Sequence, residues 1–412
     1  METKICDAIE RCGTPAYIYD LNQITKNIIT LKSVISTDHH LYYSVKANPN
    51  PDVLKCILCH GVGAEVSSLG ELKLILSLGF NKDKIVLSGP GKRIDTLRYA
   101  LHAEVRCIHV ESIEEIELIR KICFEDNIKA NIAIRINPEK ASVSAGMRMT
   151  GTASQFGVDW DCVKQFSKEL SSDGLVHLIG IQVYNGTQFL NAEDIASNIR
   201  QTIEYAKKLK QLGVCLEYIN FGGGFGVPYY DNEYPLDMNS MRIFIRDIQK
   251  QNPDVFQDTY CVFESGRYLI CDAGVYVTSI LSKKISKGKI FLICDGGSNH
   301  HASSAFLGKL FRGNFPINVI HRNATREIDQ ETVTITGPLC TPSDVIGREV
   351  TLERCWPRDW IVIKKSGAYG LTNSPVLFIL QQLPNEIIVS DDDIYVSDGL
   401  RTISKILIGD EL

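Results

Sequence analysis

Lys46, the glycines Gly222, Gly223 and Gly224, and Glu264 would do chemistry together if the chain brought them to one place. In "LYYSVKANPN" (41–50) a lysine ends a short apolar run, directly before a turn-rich Ala-Asn-Pro-Asn. Such a lysine is either a solvated charge punctuating a loop or an amine kept for a carbonyl group. "FGGGFG" (221–226) is a run of main-chain amides with no side chains blocking approach, a phosphate nest or a plain tight turn. Arg267, in "ESGR", offers a bidentate clamp for the same phosphate. Glu264 is either a paired buried acid or the partner of a protonated ring nitrogen. Amine, nest and acid together match pyridoxal 5′-phosphate (PLP). The amine takes its aldehyde, the nest its phosphate, and the acid keeps its ring protonated and able to accept electrons.

For these groups to meet, the elements carrying them must share one rim. Short strand-like runs recur at 41–47, 61–67, 84–89, 104–110, 130–136, 177–184, 216–222 and 260–265. Helical patterns lie between them. Residues 68–79 and 191–213 both end on glycine, and 112–126 opens with Ser112 and Glu115 as a capping box. Near-continuous apolar strands alternating with helices predict a parallel sheet covered by helices, and eight strands close a barrel. The rival, an open doubly wound sheet, would carry G-x-G-x-x-G after its first strand, and none is there. The expected class is α/β, a (β/α)8 TIM-like barrel. After residue 270 the runs turn strand-like with few helical patterns, predicting a C-terminal all-β domain. The expected division is 1–24, an N-terminal segment pairing with the β domain; 25–270, the barrel; and 271–412, the β domain.

Barrel chemistry gathers at the C-terminal strand ends. By that test Lys46, Glu65 and Ser67, Arg135, Tyr184, the glycine run and Glu264 ring one mouth, and Thr187 and Gly266 are counted with them as cofactor-binding candidates.

Composition removes other function classes. The chain has 412 residues, 44% hydrophobic and 23% charged, with a net charge of −5 and no long basic run, which argues against nucleic acid as a partner. No apolar run reaches membrane-span length, and the first residues lack a signal-peptide pattern. Thirteen scattered cysteines read as reduced thiols, predicting a cytoplasmic protein. Cys6 and Cys12 sit in a polar, turn-like context. "CILCH" (56–60) matches the haem-attachment spacing but has the apolar pattern of a buried helix. The adjacent histidines of "NHH" (299–301) lack the i, i+4 partner a metal site needs, so no metal is expected.

The motifs "YYSVKANPN", "GAEVSSLGEL", "FGGGFG", "ESGRYLI", "GPLCTPSDVIG" and "GAYG" resemble, in order across residues 41–370, the fold-type III PLP-dependent decarboxylases, relatives of diaminopimelate and ornithine decarboxylase. The resemblance implies that Lys46 forms the imine with the cofactor. Gly222, Gly223, Gly224, Arg267 and Tyr369 would hold the phosphate and Glu264 the ring nitrogen. Cys340, with Asp344 nearby, would return the proton after CO2 leaves. It further implies that Cys340 and Asp344 come from a second subunit, hence a homodimer. Alanine racemase resembles the same architecture but sets an arginine against the ring nitrogen, so Glu264 favours decarboxylation.

Departures from that pattern bear on the substrate. Tyr184 and Thr187 in "QVYNGTQ" stand where those enzymes show H-x-G-S; a tyrosine still stacks on a ring. Cys340-Thr341-Pro342 replaces C-E-S, and "DGGSNHHASSAFLG" (295–308) replaces R-P-x-L-Y, removing groups that read a charged far end of the substrate. With "GMRMTGTASQFGVD" (146–159) these stretches resemble a secondary-metabolism branch acting on glutamyl groups carried by acyl-carrier proteins or on siderophore units. Ser298, His300 and His301 would line its open distal pocket. The expected function is therefore PLP-dependent decarboxylation of an amino acid or amino-acyl conjugate in biosynthesis. Diaminopimelate decarboxylase and a catalytically silent, partner-binding homologue are the alternatives.

Overall fold

The structure is a computed structural model of the chain, and it describes residues 2–36, 38–139, 147–148, 153–170, 173–305, 313–322, 329–391 and 393–409. The strand β1 (Ala16–Asp20) precedes eight parallel strands: β2 (His40–Ser44), β3 (Gly63–Val66), β4 (Ile85–Leu87), β5 (Cys107–Val110), β6 (Ala130–Asn137), β7 (Val176–Val183), β8 (Tyr218–Asn220) and β9 (Tyr260–Ser265). They pair in the order β5-β4-β3-β2-β9-β8-β7-β6, and β6 pairs back onto β5 to close the barrel. Helices cover the outside, so these strands are buried on both faces. Inward-pointing Tyr42, Val86, Cys107, Ala133, Ile179, Tyr218 and Val262 form their own cluster and fill the lumen.

The interstrand helices start and stop as local chemistry directs. Ser68 and Ser112 cap the helices Leu69–Ser77 and Ile113–Asp126, and Gly79 and Gly213 take φ of +85° and +86° past helix ends. The expected capping box at Ser112 closes only halfway. Ser112 Oγ accepts the Glu115 amide, but the Glu115 carboxylate accepts the Glu111 amide and pairs with Lys92.

The second sheet holds β10 (Gly274–Ser286), β11 (Lys289–Cys294), β12 (Ile317–Ile320), β13 (Gln330–Thr336), β14 (Val345–Glu353), β15 (Trp360–Ile363), β16 (Asn385–Val389) and β17 (Ile394–Val396). Its order is β14-β13-β11-β10-β1-β16-β17, with β15 joining β10 to β12. Strand β1 lies antiparallel to β10 and parallel to β16, so the chain's first strand completes the sheet built from its last third. Two helices depart from the sequence reading. Residues Glu2–Cys12 are helical rather than turn-like, because Ile5, Ala8 and Ile9 fall on one face and bury against this sheet. The helix Gly399–Ile408 returns to pack on barrel helix Leu69–Ser77, where Gly70 leaves room for Ile406. No described helix is long and apolar enough to cross a membrane.

Candidate active site

Lys46 leaves the end of β2 in a single turn of 3-10 helix, Val45–Ala47. Its Nζ donates to both oxygens of Glu65, at 3.1 and 3.0 Å, and Ser67 donates to Glu65 at 3.0 Å. The Lys46 side chain is 47% exposed to the mouth, whereas Glu65 is 1% exposed. Burial alone would lower the Lys46 pKa, but Glu65 first, then Tyr369 and Glu264, outweigh it and hold the ammonium protonated. Burial would raise Glu65, and the Lys46 charge and hydrogen bonds hold it below the ordinary carboxylate range.

The glycine run follows β8 because no side chain fits there. A Cβ on Gly223 would lie 2.2 Å from the Glu264 carbonyl oxygen and one on Gly222 2.6 Å from that of Val183. Gly222 and Gly224 also take φ of +64° and +91°. Asn220 Oδ1 accepts the Gly222 amide at 2.8 Å and so fixes the entry to the run. Gly266, after β9, packs so tightly on the Lys46 segment that its Cβ would meet that of Ala47 at 2.8 Å.

Glu264, 3% exposed at the end of β9, accepts hydrogen bonds from Gln182 Nε2 at 3.0 Å and Asn220 Nδ2 at 2.7 Å, both on Oε1. Burial, then the like charge of Glu65, pushes it up to about 7 against the pull of Lys46. A buried carboxylate held by neutral donors, with no ion-pair partner among the described residues, suits a ring cation arriving with a ligand.

Arg267 Nη1 donates to the Tyr229 hydroxyl at 2.7 Å, and its guanidinium lies 4.7 Å from the Tyr369 ring centroid. Tyr369, on a loop after β15 and at φ +53°, donates its amide to the Ala47 carbonyl at 2.8 Å. The second sheet thereby delivers an aromatic side chain beside Lys46. Across the mouth, Tyr184 is hydrogen-bonded by Thr187, and the Arg135 guanidinium lies 5.9 Å from its ring centroid. Arg135 is itself paired with Glu111 at 2.9 Å. Glu111 also accepts the amides of Gly89 at 3.1 Å and Gly157 at 3.0 Å, tying three rim loops together. The reading from sequence missed Glu111; an acid at the end of β5 was the available signal, the same that singled out Glu65.

The substrate-pocket expectations fare differently. His300 bonds Tyr276 at 3.2 Å and the Gln382 carbonyl at 2.9 Å, and His301 bonds Ser366 at 2.9 Å and accepts the Ser304 amide. Each is 1% exposed, so both are core histidines of the β domain with their ring nitrogens already committed. Asp344, 2% exposed, spends its two oxygens on the amides of Ser298 and Leu339. It braces two loops rather than meeting substrate, and Ser298, 4% exposed, is buried with it. Cys340 on that second loop is exposed. Residues 146 and 149–152 of the stretch 146–159, and 306–308 of the other, lie outside the described residues.

The geometry fits PLP on three counts. An amine stands on the floor of the mouth, the main chain of the glycine run is shaped as a cradle, and a buried acid awaits a cation.

The profile of the family described as "Pyridoxal-dependent decarboxylase, pyridoxal binding domain" matches residues 21–271. The chain is 38% identical to L-glutamyl-[BtrI acyl-carrier protein] decarboxylase of Niallia circulans, covering 100% of this chain and 99% of that protein. It is 28% identical to diaminopimelate decarboxylase of Archaeoglobus fulgidus over 90% of this chain and 87% of that one. The crystal structure of diaminopimelate decarboxylase from Helicobacter pylori complexed with L-lysine superposes with a TM-score of 0.85 at 26% identity, covering 98% and 99% of the two chains. With its barrel closed, its mouth fitted to PLP and relatives matching along its whole length, the chain belongs to the pyridoxal-dependent decarboxylases and is a PLP-dependent amino acid decarboxylase.

Proposed function

We propose that this decarboxylase acts on an amino-acyl group joined to a larger carrier, a glutamyl thioester on a carrier protein being the foremost case, within a biosynthetic pathway. The supporting observation is that, among the described residues, the candidates expected at the far end of the site bring no charge there: Thr341 and Pro342 follow Cys340, and His300 and His301 are sealed in the core. The distal ammonium and carboxylate of free diaminopimelate would lose water there without gaining partners. The relative that acts on a glutamyl-carrier protein also matches end to end.

When bound, PLP supplies an aldehyde that takes up the substrate amine and a ring that accepts the electron pair released with CO2. The chain's residues do the rest. Lys46 would hold the cofactor by its aldehyde and give way to the incoming amine, with Glu65 as its charge partner. Gly222, Gly223, Gly224 and Gly266, with Arg267 and Tyr369, would cradle the phosphate. Tyr184, steadied by Thr187 and Arg135, would pack against the ring, and Glu264 would hold the ring nitrogen. Cys340 of a second copy donates the proton to the carbon that lost CO2. Residues 1–24, 25–270 and 271–412 are read as the working units, and the protein as a cytoplasmic homodimer.

Mass spectrometry scoring loss of one CO2 tests the substrate class. Glutamyl thioesters on a carrier protein, or siderophore-type conjugates, are expected to turn over, while free diaminopimelate, lysine, ornithine and glutamate are not. Efficient turnover of free diaminopimelate would overturn the reading. The shared site has its own test. Lys46→Ala and Cys340→Ala, each inactive alone, should recover about a quarter of wild-type activity when mixed one to one, since half the dimers then hold one intact site. No recovery under conditions that exchange subunits would put both residues in one chain's site.

A further inference from the structure

A row of polar groups crosses the lumen of the barrel, where apolar filling is the rule. Asn220, Tyr218 and His109 are 0%, 1% and 0% exposed. Asn220 Nδ2 donates to Glu264 at 2.7 Å and to the Tyr218 hydroxyl at 3.0 Å, while its Oδ1 accepts the Gly222 amide at 2.8 Å. Tyr218 lies 3.0 Å from His109 Nε2, and His109 Nδ1 lies 2.8 Å from Ser88 Oγ.

One set of directions satisfies every bond in the row. Asn220 must turn its oxygen to the Gly222 amide, so both its N–H groups point at Glu264 and Tyr218. With the His109 proton on Nδ1, the Tyr218 hydroxyl donates to His109 Nε2 and His109 donates to Ser88. Burial pushes the His109 pKa down to about 3, so the ring stays neutral and available as an acceptor. Burying four polar side chains costs free energy unless every bond is made, and here every one is made. An apolar lumen would be the cheaper way to fill this space, so the row calls for a role beyond packing.

We propose that Asn220, Tyr218 and His109 are positioning residues: a hydrogen-bonded row that holds the Glu264 carboxylate in place and in register with the glycine run. One amide thereby links the residues assigned to the two ends of the cofactor, its ring nitrogen and its phosphate. The proposal rests on that assignment of Glu264. The other charges acting on Glu264 are Glu65, Lys46 and Arg135, and none of them is in the row.

The test is an infrared titration of the apoenzyme, with the Glu264 carboxyl band identified by its loss in Glu264→Gln. Tyr218→Phe keeps the ring and removes the hydroxyl, which takes away one of the three bonds that hold the Asn220 amide. The protonation midpoint of Glu264 is expected to rise by roughly one pH unit, because the ionised form loses a fixed donor. PLP affinity should fall about tenfold, and kcat should fall more than KM changes. Asn220→Leu should do the same more strongly. Should Tyr218→Phe not accumulate, His109→Leu breaks the row from its far end, and His109→Gln, whose carbonyl can accept from Tyr218, should restore it. Tyr42→Phe is the control, since Tyr42 belongs to the same lumen cluster but its hydroxyl faces Tyr260 at 3.3 Å. An unmoved midpoint in Tyr218→Phe, or an equal movement in Tyr42→Phe, overturns the proposal. The apoenzyme titration involves no cofactor, so it judges the row alone. Failure of Glu264→Gln to alter the absorbance of bound PLP would instead overturn the assignment of Glu264.

Discussion

Lys46→Ala is expected to abolish the visible absorbance of anchored PLP and to lower kcat by about a thousandfold or more, because no other amine replaces the group that carries the cofactor. Lys46 is the amine on the floor of the mouth, and its Nζ is fixed by Glu65 from both carboxylate oxygens. The substitution also leaves Glu65, 1% exposed, without its cation. The mouth admits water beside Lys46, so that cost stays near about 1–3 kcal/mol of stability. Lys46→Arg separates the two effects. The guanidinium keeps the charge opposite Glu65 and restores stability, yet it is always protonated and cannot bind an aldehyde covalently, so absorbance and activity stay lost. Spectroscopy of the purified variants decides it: a Lys46→Ala protein with the wild-type absorbance would mean another residue anchors the cofactor.

Glu264→Gln should keep PLP anchored while lowering kcat about a hundredfold or more, the scale of removing one preorganised charge from a reacting centre. The shape and the contact with Asn220 can persist; what goes is the negative charge that stabilises a protonated ring nitrogen. The sign of the pH effect follows. Burial sets Glu264 at about 7, so below that pH the group is neutral and offers the ring nothing, and above it the carboxylate is present. PLP affinity of the wild-type apoenzyme should rise as pH passes through about 7, and the variant's profile should lack that component. The difference between the two profiles isolates Glu264 from the titration of PLP itself. A kcat within about threefold of wild type would show that the ring nitrogen needs no acid here.

The barrel and its mouth were legible because both follow from local pattern. Parallel strands buried on both faces read as apolar runs, and chemistry at their ends can be listed without knowing any contact. Lys46, Glu65, Tyr184, the glycine run and Glu264 were found that way. His300 and His301 were misjudged for the converse reason: whether a histidine lines a pocket or fills a core depends on Tyr276, Ser366 and Gln382, which lie tens of residues away. Arg267 was expected to clamp a phosphate, but its bond to Tyr229 spans 38 positions of sequence and no spacing announced it.

By itself, then, the sequence determined the alternation of elements, the residue types at the mouth and the family, since each is written in short stretches. The tertiary structure alone decided how charge and hydrogen bonds are shared. Closing the barrel sets Asn220 against Glu264, 44 positions on, and Tyr218 against His109, 109 positions back. Docking the second sheet sets Tyr369 against Ala47. A buried polar group must find its partner wherever the fold puts one, and that partner is a property of the closed barrel rather than of any stretch of chain.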